Sequence, residues 1–200
     1  MTEQSPIPSN WPIRKFQDWL AEARVSEIED PDAACIATVD ETGMPNARMV
    51  LVRFVDERGF TFFTNYNSRK GREILTHPKA AICFHWKSLQ RQVRVQGTVE
   101  KVSEAEADAY FNSRARSSRI SSWASLQSEI LDDRSTFEKR IEEYEEKFSG
   151  VESPPRPPHW SGFRIVPERI EFWQQTKFRR HERIVYIKSG HGWHSQLLYP

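Results

Sequence analysis

Three stretches concentrate side chains able to hold an anion. In the first, Ser68-Arg69-Lys70, the serine reads as a helix N-cap, which places two cations in the first helical turn. The helix dipole disfavours cations there. Free backbone N–H groups beside two side-chain cations would make a phosphate cradle, though the three residues alone read more readily as a solvated basic turn. In the second, residues 113–119 hold three arginines and three serines just after Tyr110-Phe111-Asn112. Guanidinium forks and hydroxyl donors suit a second phosphate, and an exposed basic loop is the plainer alternative. The third runs Phe172-Trp173-Gln174-Gln175-Thr176-Lys177-Phe178-Arg179-Arg180-His181-Glu182-Arg183. If extended, it projects Arg179, His181 and Arg183 to one side. A histidine between two arginines is expected to release its proton readily, as proton handling beside an anionic ligand would need. The polar face of an edge strand would look the same.

Short strands and tight turns must position these groups. Residues 34–39, 48–55 and 60–64 read as strands, joined by the turns Asp40-Glu41-Thr42-Gly43-Met44-Pro45 and Asp56-Glu57-Arg58-Gly59. Residues 80–86 read as a buried strand, and 90–100 alternate as a strand with one wet face. About six closely spaced antiparallel strands by residue 101 suggest a small barrel. Helices are expected over 13–28, after Ser68, over 103–113 behind the capping box Ser103-Glu104-Ala105-Glu106, and over 135–148. Residues 110–119 are expected as a loop and 149–158 as a Pro-rich crossing. Strands at 162–173, 184–188 and 193–198 follow, the last two joined by a hairpin at Gly190-His191-Gly192. Residues 1–10 are expected as a flexible tail and 11–200 as one domain.

The chain has 200 residues, enough for one sizeable core. Lys+Arg 29 against Asp+Glu 28 gives a net charge of +1, so no global field favours nucleic acid or an anionic membrane. Any anion site must be local. No apolar run approaches the roughly 20 residues of a membrane span, and the polar start MTEQSPIPSNW does not read as a signal peptide. Cys35 and Cys83 sit in apolar strand-like runs and are expected as buried free thiols, which suits a cytoplasmic protein. The histidines and cysteines lack metal-ligand spacing, so no metal is expected. Twelve Phe and seven Trp can pack a core or wall a pocket for a planar ligand.

In order and spacing, several motifs resemble those of the pyridoxamine 5′-phosphate oxidase family. They are Asn46-Ala47-Arg48-Met49-Val50-Leu51, Phe62-Phe63-Thr64-Asn65, Ser68-Arg69-Lys70-Gly71, Arg91-Gln92-Val93-Arg94, Tyr110-Phe111, Ser113-Arg114, Gln127-Ser128, Phe172-Trp173-Gln174 and Arg179-x-His181-x-Arg183. The resemblance spans residues 16–200. It implies a mainly β fold with flanking helices (α+β), an antiparallel six-stranded FMN-binding split β-barrel, and a homodimer with two FMN sites at its interface. The implied FMN residues are Arg48, Met49, Val50, Leu51, Val52, Phe63, Thr64, Arg69, Lys70, Gln92, Gln127, Ser128, Trp173 and Arg183. The implied substrate residues are Arg53, Tyr110, Arg114 and Ser118, with Arg179 and His181 as the catalytic pair over the substrate ring. The implied reaction takes a hydride from C4′ of a phosphorylated pyridine to flavin N5, and dioxygen reoxidises the flavin to give hydrogen peroxide. Departures cluster on the substrate side. Arg53 stands where the family usually has Lys, Ala115 and Arg180 replace the usual Pro and Leu, and Leu197 stands where an arginine is usual. Two alternatives therefore stay open: a related flavin oxidase of another planar substrate, as in phenazine pathways, or a non-catalytic protein binding FMN or pyridoxal phosphate.

Overall fold

A computed structural model describes residues 8, 10–190 and 192–200. The expected tail over 1–10 lies outside the described residues except for Pro8 and Asn10, and so does His191 of the expected last hairpin. The elements in chain order are α1 (Trp11–Ser26), β1 (Ala33–Val39), β2 (Pro45–Asp56), β3 (Gly59–Asn65), α2 (Arg69–Thr76), β4 (Lys79–Trp86) and β5 (Arg91–Lys101). Then follow α3 (Glu104–Asn112), α4 (Arg116–Ala124), α5 (Arg134–Lys147), β6 (Trp160–Gln174), β7 (Glu182–Ser189) and β8 (Gly192–Leu197).

All strand pairs are antiparallel, in the order β3-β2-β1-β4-β5-β6-β7-β8, and a further β3–β6 pairing closes the first six into a barrel. Only five barrel strands lie before residue 101, one fewer than the spacing suggests. The sixth, β6, arrives about sixty residues later. Because it must bond β5 along one edge and β3 along the other, it is the longest strand, at 15 residues. Its register against β5 shifts between Gln96 and Gly97. A Cβ at position 97 would stand 1.9 Å from the Val166 carbonyl oxygen, so this bulge admits only glycine.

Alternation along the strands sends one set of side chains inward. On β1 these are Ala34, Ile36 and Thr38. The helix α1 begins with Pro12 in its first turn, where a missing N–H costs nothing. Its buried stripe is Ile13, Phe16, Leu20 and Ala23. Phe16 meets the rings of Phe60, Phe84 and Trp86 at 4.8, 4.8 and 5.7 Å. Each such fully buried ring contributes about 2–3 kcal/mol of transfer free energy. One hydrophobic cluster runs from Ile13 to Trp193.

Two expectations need correction. Residues 116–124 form the helix α4 rather than a loop. Buried Ile120 and Ala124 give it an apolar stripe, and the hydroxyls of Ser121 and Ser122 fold back on the carbonyls of Ser117 and Ser118 at 3.0 and 2.9 Å. Cys35 and Cys83 are free, but only half-buried. They are register partners on the outer faces of β1 and β4. The Pro-rich segment crosses back to the barrel as expected. Arg156 ties it to Asp108 of α3 at 2.6 Å and to the Trp160 carbonyl at 2.7 Å. Among the described residues no helix is long and apolar enough to cross a membrane.

Candidate active site

The hairpin β2–β3, the start of α2 and the helices α3 and α4 enclose a cavity of about 530 Å³. It gathers eleven of the expected residues: Met49, Val50, Leu51, Arg53, Phe63, Thr64, Lys70, Tyr110, Arg114, Ser118 and Gln127. Its lining holds the cations Arg53, Lys70 and Arg114, five serines and no carboxylate. Aromatic rings wall it. Phe63 stacks on Tyr110 with ring centres 4.1 Å apart, and lies nearly parallel to Trp160 at 5.5 Å.

Lys70 is brought in by the start of α2. Ser68 caps the helix, its Oγ accepting from the Gly71 N–H at 3.3 Å. Gly71 lies so close to the preceding turn that a Cβ would meet the Tyr66 carbonyl oxygen at 2.3 Å. The Lys70 amine is buried and donates only to neutral oxygens: Thr64 Oγ1 at 3.2 Å, Ser68 Oγ at 3.5 Å and Gln127 Oε1 at 3.5 Å. Burial, and then repulsion from Arg48, lower its pKa against the opposing pull of Glu73. A buried ammonium without a bonded carboxylate, at a capped helix start, is a fit for a phosphate monoester. FMN carries such a group.

Arg114 is the second cation, half-buried. Its Nη1 donates to Ser122 Oγ at 2.7 Å, and its guanidinium lies over the Trp160 ring at 4.9 Å. Burial lowers its pKa, and Arg53 and Arg119 lower it further while Tyr110 opposes them. Arg53 has no hydrogen-bond or ion-pair partner among the described residues.

Arg48 and Arg69 do not line this cavity. Both bind the carboxylate of Glu73, which is 6 % exposed and which motif reading did not single out. Glu73 Oε2 accepts from Arg48 Nη2 at 3.2 Å and from the Thr38 hydroxyl. Its Oε1 accepts from Arg69 Nε at 3.0 Å and from Asn46 Nδ2 at 2.7 Å. Arg69 also reaches Asp40 at 3.4 Å. The two expected cations of α2 therefore face different surroundings. Val52 points into the core, and Ser128 is exposed in a left-handed turn with φ 76°.

The remaining expected residues form a second group. Gln92 of β5, Trp173 of β6 and Arg183 of β7 are register partners in one line across the sheet. Arg183 is held by Glu171 at 2.8 Å. His181 and Arg183 line a separate cavity of about 500 Å³ that shares no residue with the first. The expected extended run through Arg179, His181 and Arg183 is broken. Residues Lys177–Arg179 form a 3-10 turn, with Phe178 and Arg179 at φ 58° and 59°. Arg179 is exposed, and it lies in the turn rather than on the strand that carries Arg183. His181 sits against Trp173, ring centres 4.7 Å apart, and its Nδ1 accepts from the Thr176 N–H at 3.3 Å. That contact puts the proton of a neutral ring on Nε2.

Comparison with known proteins matches both stretches of the chain in which these residues lie. The family described as pyridoxamine 5′-phosphate oxidase matches residues 20–148, and the pyridoxine 5′-phosphate oxidase C-terminal dimerisation region matches residues 160–200. The pyridoxine/pyridoxamine 5′-phosphate oxidase of Caulobacter vibrioides is 56% identical over 189 residues, covering 94% of this chain and 85% of that one. That of Myxococcus xanthus is 52% identical over 200 residues, covering 100% and 96%. Among solved structures, PhzG from Burkholderia lata, in complex with tetrahydrophenazine-1-carboxylic acid, superposes with a TM-score of 0.89 at 32% identity. The alignment covers 94% of this chain and 92% of that one. A pyridoxamine 5′-phosphate oxidase-related, FMN-binding protein of Nostoc punctiforme shares the fold, with a TM-score of 0.74 at 18% identity over 94% of this chain and 98% of that one. The six-stranded split barrel, its cation-lined cavity and both sequence matches lead to one assignment: the chain belongs to the pyridoxamine 5′-phosphate oxidase family.

Proposed function

We propose that the chain is an FMN-dependent oxidase of pyridoxamine 5′-phosphate and pyridoxine 5′-phosphate, forming pyridoxal 5′-phosphate. The observation that carries this reading is the cavity lined by three cations and five serines, with no carboxylate, beside parallel aromatic rings. Lys70, Thr64 and the start of α2 would hold the FMN phosphate, with Arg48 and Arg69 behind them. Tyr110, Arg114 and Ser118 would hold the substrate phosphate, and Arg53 adds a further cation. When bound, FMN supplies a hydride acceptor for the substrate C4′ and a route for the electrons to dioxygen, giving hydrogen peroxide. The protein binds and orients the reactants, so its contribution is chiefly proximity and charge complementarity.

Gln92, Trp173 and Arg183, with Arg179 and His181, would complete the site of a second copy of the chain in a homodimer. The match of residues 160–200 to a dimerisation region supports this, as does the separation of the two cavities. His181 would then present Nε2 to the substrate. Residues 11–200 would act as one domain, as the continuous core suggests. The likeness to PhzG favours a second reading, oxidation of a larger planar carboxylate.

The test is a visible spectrum of the FMN-saturated protein before and after anaerobic addition of pyridoxine 5′-phosphate. Bleaching of the oxidised flavin band is expected. Flavin that binds but stays oxidised would exclude this substrate and favour the second reading. Failure to bind FMN would overturn both readings.

A further inference from the structure

The two groups of cations are held in place by different means. Arg48 and Arg69 share a carboxylate, Glu73. Among the described residues Arg114 has no carboxylate partner, and its cavity has none in its lining. It rests on an aromatic face instead. Its guanidinium lies 4.9 Å from the Trp160 ring centre and 5.7 Å from that of Phe111. Trp160 is 7 % exposed and held on three sides. Its backbone N–H donates to the Pro157 carbonyl at 3.0 Å, its backbone carbonyl accepts from Arg156 at 2.7 Å, and it pairs with Asn65 across β3 and β6. The same indole lies nearly parallel to Tyr110, ring centres 6.1 Å apart and planes 15° from one another. Phe111 meets its edge at 5.0 Å.

We propose that Trp160 is the positioning residue of the substrate-phosphate site, fixing the Arg114 guanidinium and the Tyr110 ring without neutralising the arginine. The inference rests on the oxidase reading for the identity of the substrate, but not for the chemistry of the subsite. A carboxylate would orient Arg114 equally well, yet it would compete with the incoming dianion for the same N–H donors. The face of an indole attracts a guanidinium through its quadrupole, and the in-plane N–H groups that do not donate to Ser122 stay free for phosphate oxygens. A partly desolvated contact of this kind lies between the exposed and the buried cation–π pairs, about 1–2 kcal/mol, so its loss is expected to weaken phosphate binding about tenfold. Burial lowers the pKa of Arg114, and the neighbouring Arg53 and Arg119 act in the same direction, so the subsite carries positive charge that its own residues do not balance.

The experiment compares Trp160→Phe and Trp160→Leu with the wild-type FMN-loaded protein. It measures kcat and KM for pyridoxine 5′-phosphate, binding of inorganic phosphate by calorimetry, and retention of FMN. Trp160→Leu is expected to raise KM and the phosphate Kd about tenfold, leaving kcat and FMN retention within about twofold. Trp160→Phe retains an aromatic face and is expected to recover most of that loss. Unchanged phosphate affinity in Trp160→Leu would overturn the proposal. So would a parallel fall in phosphate binding, kcat and FMN retention in both variants, since that marks general disruption of the fold. If the wild-type protein fails to oxidise pyridoxine 5′-phosphate, the oxidase reading falls while the phosphate titration still decides the role of Trp160.

Discussion

Glu73 and Trp160 show how much a site depends on residues that carry no motif. Ser68, Lys70 and Arg114 stood out because cations beside a helix start or a serine cluster imply an anion. Glu73 did not, because a glutamate four residues after Arg69 reads as an ordinary helix-surface ion pair. Its other partners, Thr38 and Arg48, are 35 and 25 residues away in sequence, and only the closing of the sheet brings them together. Trp160 was hidden for the same reason, since an aromatic after prolines usually signals packing. The carboxylate of Glu73 accepts from four donors, so replacing it by an amide sets an N–H against two of them, leaves Arg48 without a counter-charge and leaves Arg69 with Asp40 at 3.4 Å. Glu73→Gln is expected to lower stability by about 2 kcal/mol in urea unfolding at pH 7, less than for a fully buried pair because Arg69 is half exposed. FMN should restore part of the loss, because its phosphate supplies the missing negative charge. An unchanged urea midpoint without FMN would show that Glu73 is not needed to balance the two arginines.

Among the elements, local contacts are legible in the sequence and tertiary ones are not. The capping box of α3 is present as its sequence implies. Ser103 Oγ accepts from the Glu106 N–H at 3.2 Å, and Glu106 accepts from the Ser103 N–H at 3.1 Å. What the sequence could not show is that Glu106 also pairs with Arg164 of β6 at 2.5 Å and with Arg58 of the β2–β3 turn at 2.9 Å. The helix start is thereby tied to the barrel wall. The reverse error occurred at α4, where serine and arginine content suggested a loop and buried Ile120 and Ala124 decided for helix. A left-handed turn at Phe178 and Arg179 likewise broke an alternation that looked continuous. At Glu106, the Ser103 N–H, its hydroxyl and Arg164 outweigh burial and lower the pKa from 4.5 to about 2. A carboxyl held low in the folded state contributes stability that is present above the unfolded value and lost as pH falls through the folded one. Acid unfolding followed by circular dichroism should therefore be less steep between pH 4.5 and about 2 in Glu106→Gln than in the wild type. Parallel acid curves would mean that Glu106 keeps the same proton affinity folded and unfolded.

For the whole molecule, hairpin neighbours were legible and distant returns were not. The pairs β1–β2 and β2–β3 follow from tight turns, whereas the seating of β6 between β5 and β3 is a long-range pairing with no local signature. That seating has a functional consequence. It puts Trp173, between Gln92 and Arg183, on the sheet away from the cavity that holds Lys70 and Arg114. In the proposed homodimer each complete site would draw one group from each copy, which yields a test by mixing. Lys70→Met damages the first group and Trp173→Ala the second, so neither homodimer should retain FMN tightly. Co-expressed with different tags, the two variants should pair at random, making about half of the dimers mixed. Each mixed dimer would hold one doubly damaged site and one intact site, so about a quarter of all sites should recover wild-type FMN retention. If each site were built from a single chain, every site would carry one lesion and mixing would recover none. Retention that stays at the level of the separate variants would therefore refute the shared-site arrangement, even if the oxidase activity itself were confirmed.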